Sequence, residues 1–200
     1  MVQSTQHSPE TADMATRILE AAELQFRHYG YSKTTVADVA KELGMSPANI
    51  YRFFGSKSEL LEGVCDRLLQ LSLSLAHSVA ALPISAEEKL RRYSITHFEF
   101  TVATMLDERK VHEMVVVAIE QSWSVIDKHI DEIQSILAGI IAEGMENGEF
   151  VKGDPAHIAR CFGAATSPLH HPQMVAQCIG KNNRASPEDL TEFAIRALKV

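Results

Sequence analysis

Residues 34–61 read TTVADVAKELGMSPANIYRFFGSKSELL, and this stretch decides the fold. Val36, Val39, Ala40 and Leu43 recur at helical spacing and stop at Gly44, which predicts a short helix opening at Thr34 or Thr35. Asp38 falls in its first turn, where the helix dipole favours negative charge. Ser46-Pro47 opens the next helix, because serine caps orphan N–H groups and proline at the first helical position loses no needed hydrogen bond. That helix is expected to carry Ala48, Asn49, Ile50, Tyr51, Arg52, Phe53 and Phe54 before Gly55 ends it. Ser56 with Glu59 then forms a capping box that launches a long helix through Leu60, Leu61, Val64 and Leu68. Two short helices around the Gly44-Met45-Ser46 turn make a helix-turn-helix outline, in which glycine supplies the positive φ and the second helix faces a major groove. A two-helix hairpin with no nucleic-acid role has the same outline.

The pattern stays helical outward from this core. Ser8 or Thr11 is positioned to cap a first helix, Ile18, Leu19, Ala22 and Phe26 share its inner face, and Gly30 stops it. Downstream, helices are expected from Ser85 to about Leu106, from Arg109 to Gln121, and from Trp123 to Asn147. The last has Ile126, Ile130, Ile133, Leu137, Ile140 and Ile141 on its buried stripe. Asp154-Pro155 starts another, Pro168 and Pro172 interrupt the helical pattern beyond it, and Ser186-Pro187 opens the last. The fold class is all-α.

Composition bounds the function. At 200 residues and 46% hydrophobic, the chain buries a real core. Cys65, Cys161 and Cys178 are widely spaced and lack a CxxC pair, so free thiols in a reducing cytosol are expected, with no metal site. No run approaches the roughly 18 apolar residues of a membrane span, and the polar stretch Gln3 to Asp13 is not a signal sequence, so a soluble cytoplasmic protein is expected. The net charge of −7 argues against nucleic acid. Between Leu24 and Leu60, however, Arg27, Lys33, Lys41, Arg52 and Lys57 outnumber Asp38, Glu42 and Glu59. No GxSxG, HExxH, GxGxxG or P-loop pattern occurs, so no enzyme, and no cofactor, is expected.

The run from Thr34 to Leu61, with Ile18, Ala22, Phe26 and Gly30 ahead of it, resembles the DNA-binding signature of TetR/AcrR-family regulators. The resemblance implies a three-helix DNA-binding domain, residues 1–56, followed at 57–200 by a helical domain for ligand binding and dimerisation. It further implies a repressor that sits as a homodimer on a pseudo-palindromic operator in double-stranded DNA and is released by a small-molecule effector. Transferred residue by residue, it puts Thr35, Tyr51 and Lys57 on phosphate and Pro47, Ala48 and Asn49 at base edges. Of these three, Asn49 alone has groups that pair with adenine. Arg52 reaches phosphate or guanine. Phe53 departs from the family pattern, which often has histidine or tyrosine there, and exchanges a polar backbone contact for an apolar one.

Beyond the signature the family diverges, and the remaining assignments are looser. Ile158, Phe162, Ala165, Phe193, Ile195 and Leu198 are dimer-interface candidates, although packing within one subunit explains each equally. Met105, His112, Met114, Trp123, His129 and Phe162 are candidates to line an effector pocket, or simply to fill a core. His170-His171 between Pro168 and Pro172 reads as an exposed helix break rather than a metal site, since no spaced third ligand accompanies the pair. An alternative reading is a helical protein-interaction module, or an activator without ligand-controlled release.

Overall fold

The computed structural model describes residues 9–104, 108–121 and 123–199, and all regular structure within them is helical. The helices are α1 (Pro9–Tyr29), α2 (Val36–Glu42), α3 (Pro47–Tyr51), α4 (Lys57–Ala80), α5 (Ala86–Thr104), α6 (Glu108–Glu120), α7 (Ser124–Glu146), α8 (Pro155–Thr166), α9 (Pro172–Cys178) and α10 (Pro187–Arg196). The chain forms two compact units, one of residues 1–67 with 112–122, the other of 68–111 with 123–200.

In the first unit, the inner faces of α1 to α4 close on Ile18, Ala22, Phe26, Val39, Ile50, Leu60, Leu61 and Val64, all fully enclosed. Local chemistry sets the helix ends. Thr35 caps α2 through a reciprocal box with Asp38, and its neighbour Thr34 is buried, its hydroxyl donating 2.8 Å to the Gly30 carbonyl at the end of α1. After α2, Gly44 adopts φ +65°. Its N–H reaches the Lys41 carbonyl (3.1 Å) and the Met45 N–H the Ala40 carbonyl (2.9 Å), the double closure of a Schellman motif. At α4, Ser56 Oγ accepts from the Glu59 N–H (3.0 Å), while the Glu59 carboxylate accepts from Gly55 N–H (2.8 Å) rather than from Ser56 itself.

Several expectations change here. Thr11 lies inside α1, so it does not cap it, and Ser8 lies outside the described residues. The third helix stops at Tyr51, with Arg52 as its C-cap, so Phe53 and Phe54 belong to the connection to α4 rather than to the recognition helix. Ser46 stands at the N-cap of α3 without a side-chain capping bond, leaving proline as the start signal that acts.

The second unit packs α5, α7, α8, α10 and the later turns of α4 around Leu90, Tyr93, Leu137, Ile140, Ile141, Phe162 and Ile195. On α7 the inner stripe is Ile133, Leu137, Ile140 and Ile141; Ile130, expected on it, is half exposed because the stripe begins one turn later. α7 approaches α5 so closely that a Cβ at Gly144 would run into the Phe150 ring and come within 2.8 Å of Ala86 Cβ. Lys89 is buried on α5 and pairs with the Glu143 carboxylate at 2.7 and 2.8 Å. Caps again fall on the expected residues: Asp154 accepts from Ala156 N–H on α8, and Ser186 from Asp189 N–H on α10.

Candidate nucleic-acid interface

α3 turns only Ile50 inward; Pro47, Ala48, Asn49 and Tyr51 all face solvent, Tyr51 at 51% exposure, and the Arg52 cap is exposed with them. An anchored helix with an outer face that free is a surface held ready for a partner. Its rigidity comes from the Gly44 closure on one side and from Phe53 and Phe54 N–H groups bonding to the Ile50 carbonyl (2.9 and 3.0 Å) on the other. Phe53 is half-buried beside this row.

The phosphate candidates are less free than their sequence positions suggest. Thr35 is exposed, but its hydroxyl donates to Asp38 Oδ2 at 2.6 Å and its N–H donates to the same oxygen at 2.8 Å. These two bonds hold the Asp38 carboxyl below its ordinary value. The donors expected to meet phosphate are therefore occupied by the helix's own carboxylate, and docking there requires Asp38 to yield.

Lys57 is half-buried, with its ammonium 4.1 Å from the centre of the Tyr31 ring. Burial lowers its pKa, and Glu113 on α6 acts in the opposite direction. Glu113 also accepts from Ser32, at 3.1 Å from the N–H and 2.9 Å from the hydroxyl. Just past the end of the same helix, Gln121 accepts from the Ser58 hydroxyl at 2.5 Å. Within this unit, α6 is thus tied by polar groups to both sides of Lys57. Nothing in the helix-turn-helix motif signals this, because the partners lie more than fifty residues away in sequence.

The other candidates separate. His112 is exposed and Met114 half-buried in the first unit, whereas Trp123, His129 and Phe162 belong to the second, and Met105 lies outside the described residues. Among the interface candidates, Phe162, Ile195 and Leu198 are buried in the core of their own unit. Phe193 is 72% exposed, Ala165 is exposed and Ile158 half-buried. These three rim a groove of about 340 Å³ between α8 and α10, floored by Phe162, Ala194 and Leu198. His170 is a correction of another kind. The helix does break there, with a single 3-10 turn at Ser167–Leu169 before α9, but the His170 side chain turns inward onto Tyr93 and His97 while His171 stays exposed. Among the described residues no group of histidine, cysteine and carboxylate side chains is placed to hold a metal. No described helix is long and apolar enough to cross a membrane. The three cysteines are unbridged, and burial, with Asp66 and Glu62 nearby, pushes the Cys65 thiol up to about 11.

Comparison with known proteins agrees with this geometry. Residues 18–64 match the family profile described as bacterial regulatory proteins, tetR family, and residues 86–191 match the tetracyclin repressor-like C-terminal domain. An uncharacterized HTH-type transcriptional regulator of Bacillus subtilis, YhgD, is 28% identical over 143 residues, 72% of this chain and 75% of that protein. A TetR/AcrR-family regulator from Thermobifida fusca has the same fold, with TM-score 0.67 at 23% identity over 92% of this chain and 95% of that one. So does a putative transcriptional regulator from Saccharomonospora viridis solved in complex with choline, with TM-score 0.66 at 21% identity over 92% and 94%. With an anchored helix-turn-helix at one end and the matching helical domain after it, the chain belongs to the TetR family and is a DNA-binding transcriptional regulator.

Proposed function

We propose that the protein is a dimeric repressor that holds a pseudo-palindromic operator and lets go when a small molecule binds its helical unit. The observation that carries the reading is the solvent-facing row Pro47, Ala48, Asn49, Tyr51 and Arg52 on a helix whose opposite side is locked into the core by Ile50. In this reading Tyr51 and Lys57 grip phosphate, Asn49 reads a base edge, and Arg52 serves either contact. Thr35 contributes once Asp38 is displaced. Phe53 lies against sugar or a thymine methyl.

Dimerisation places two such rows on half-sites one or more helical turns apart. The groove between α8 and α10, rimmed by exposed Phe193, supports this side of the reading, since an exposed aromatic beside an apolar groove is the kind of surface that pairs with its own copy. The choline complex of a protein with the same fold supports a small-molecule effector.

The test is to select bound fragments from a genomic library and measure affinity across salt. Tyr51→Ala and Lys57→Ala should each weaken the selected operator by roughly tenfold per half-site, the loss of about one charge-assisted contact in each copy. Lys57→Ala should also flatten the plot of log affinity against log salt by about 1.8, roughly 0.9 for each of the two copies. Unaltered affinity in both variants would remove the assigned docking, and wild-type binding that ignores salt would remove the operator reading.

A further inference from the structure

The second unit hides a group of imidazoles that none of its packing explains. His97 of α5 is buried, with Nδ1 3.0 Å from the Tyr93 carbonyl and Nε2 3.0 Å from the Ser72 carbonyl. A neutral imidazole has one N–H, so it satisfies one of these oxygens and turns a lone pair toward the other; only the doubly protonated ring donates to both. The two carbonyls therefore hold a socket shaped for imidazolium. Burial opposes that charge and keeps His97 below its ordinary value, with His129 adding to the effect.

The neighbouring rings share the problem. His170 lies edge-on to Tyr93 (5.3 Å between centres) and to His97 (5.9 Å), and its Nε2 is enclosed without a partner among the described residues. Its carbonyl accepts from Thr101 at 3.4 Å. Burial first, then His97 and His129, push its pKa down to about 3. His129 on α7 has its Nδ1 enclosed and unpartnered, and so has the Ser94 hydroxyl, one turn before His97 on α5. Buried polar atoms in native cores nearly always have partners. Of the three histidines only His129 feels a carboxylate, Glu132, one turn along its own helix. The cluster thus has N–H donors and a socket for a cation, and among the described residues no carboxylate acts on His97 or His170. A metal does not resolve this, since both His97 nitrogens already face carbonyls.

We propose that this cluster receives the carboxylate of a small organic acid, held by His170 and His129, and that the imidazole group takes up one proton from solvent as the acid binds. The charge balances: carboxylate and imidazolium enter the core as a pair, and His97 or its neighbour gains the N–H its surroundings already accept. The rest of the ligand is apolar, because Tyr93, in ring contact with His97 and His170, belongs to the same hydrocarbon core as Leu90, Leu137 and Phe162. As the effector's chemical class, this rests on the effector-responsive reading above; as a binding site, it stands alone.

The probes are butyrate, octanoate and palmitate, with octanamide as the uncharged match and octyltrimethylammonium as the opposite charge, titrated calorimetrically into the full chain. Proton uptake is read from buffers of differing ionisation heat. A bound carboxylate raises the imidazole pKa above its free value, so affinity is greatest at low pH. It should fall about tenfold per unit as pH rises from the acid's own pKa to the bound imidazole value, the range in which the proton comes from solvent. An acid should bind at least tenfold tighter than octanamide, with uptake of one proton. His170→Phe keeps the ring packing and removes both nitrogens, and should abolish uptake while the thermal melt and DNA binding persist. His129→Phe serves the same purpose should the first variant fail to fold. Equal binding of acid and amide, preference for the ammonium, no binding of any acid, or unchanged proton uptake in both variants overturns the proposal. If the acids bind with uptake but no duplex DNA is held, the regulator reading fails and the site remains; if DNA is held and no acid binds, the reverse is true.

Discussion

Lys57 shows how much one side chain's surroundings add to its place in a motif. Its position at the start of α4 is readable from sequence; the approach of Glu113 is not, because it depends on α6 returning to the first unit, and the Tyr31 ring reaches the ammonium only through the packing of that unit. The carboxylate of Glu113 takes up the Ser32 donors and acts on the Lys57 cation through its field, without pairing with it. Glu113→Gln is therefore expected to raise operator affinity by about two- to fivefold, the scale of a charge–charge interaction near the surface. Fluorescence anisotropy on the selected fragment measures it, and in a Lys57→Ala background the gain should vanish. A gain that survives without Lys57, or none in the wild-type background, removes the competition. The same distinction holds at Thr35. Its place at an N-terminus is legible; the diversion of its hydroxyl to Asp38 is not, since cap and phosphate ligand use the same atoms.

Among the helices, legibility depends on how local the determining chemistry is. Caps and stops at Thr35, Gly44, Ser56, Asp154 and Ser186 involve residues at most five apart, so sequence spacing suffices. The early end of α3 escapes the sequence pattern because Phe53 and Phe54 continue an apolar run that looks helical, while their N–H groups both close on Ile50 in a tightening turn. On α10, Phe193 and Ile195 look alike as apolar residues, yet two residues of helix separate them by more than half a turn. Thr191, Ala194, Ile195 and Leu198 make the inner stripe and leave Phe193 outside. That separation is available from the helical period and distinguishes core from surface. Gly44 carries the strictest backbone demand in the motif, at φ +65° with open space around it. Gly44→Ala should therefore cost about 1 kcal/mol from the left-handed backbone alone, with no steric addition. Urea unfolding reads the loss. Stability equal to wild type would mean that the turn relaxes to another conformation, and α3 would then lose its aim along with its operator.

For the whole molecule the difficulty is charge: a chain of net charge −7 must hold a polyanion. The row beside α3 offers Arg52 as its cation, and Lys57 lies in the field of Glu113, so one copy gains little electrostatically. In the proposed dimeric reading, two copies on one operator overcome this by linkage, because once the first head is seated the second binds at high effective concentration. Operator affinity should then depend on a residue that touches no DNA. Phe193 is that residue, exposed beside the α8–α10 groove and outside the core of its own unit. Phe193→Glu should leave the thermal melt of the protomer nearly unmoved, since an exposed position contributes within about 0.5 kcal/mol. In analytical ultracentrifugation it should convert dimer to monomer, and it should weaken the operator on the order of a hundredfold while half-site binding persists. A Phe193→Glu protein that stays dimeric places the pairing surface elsewhere, and a monomer that still binds the full operator tightly would show that a single head suffices.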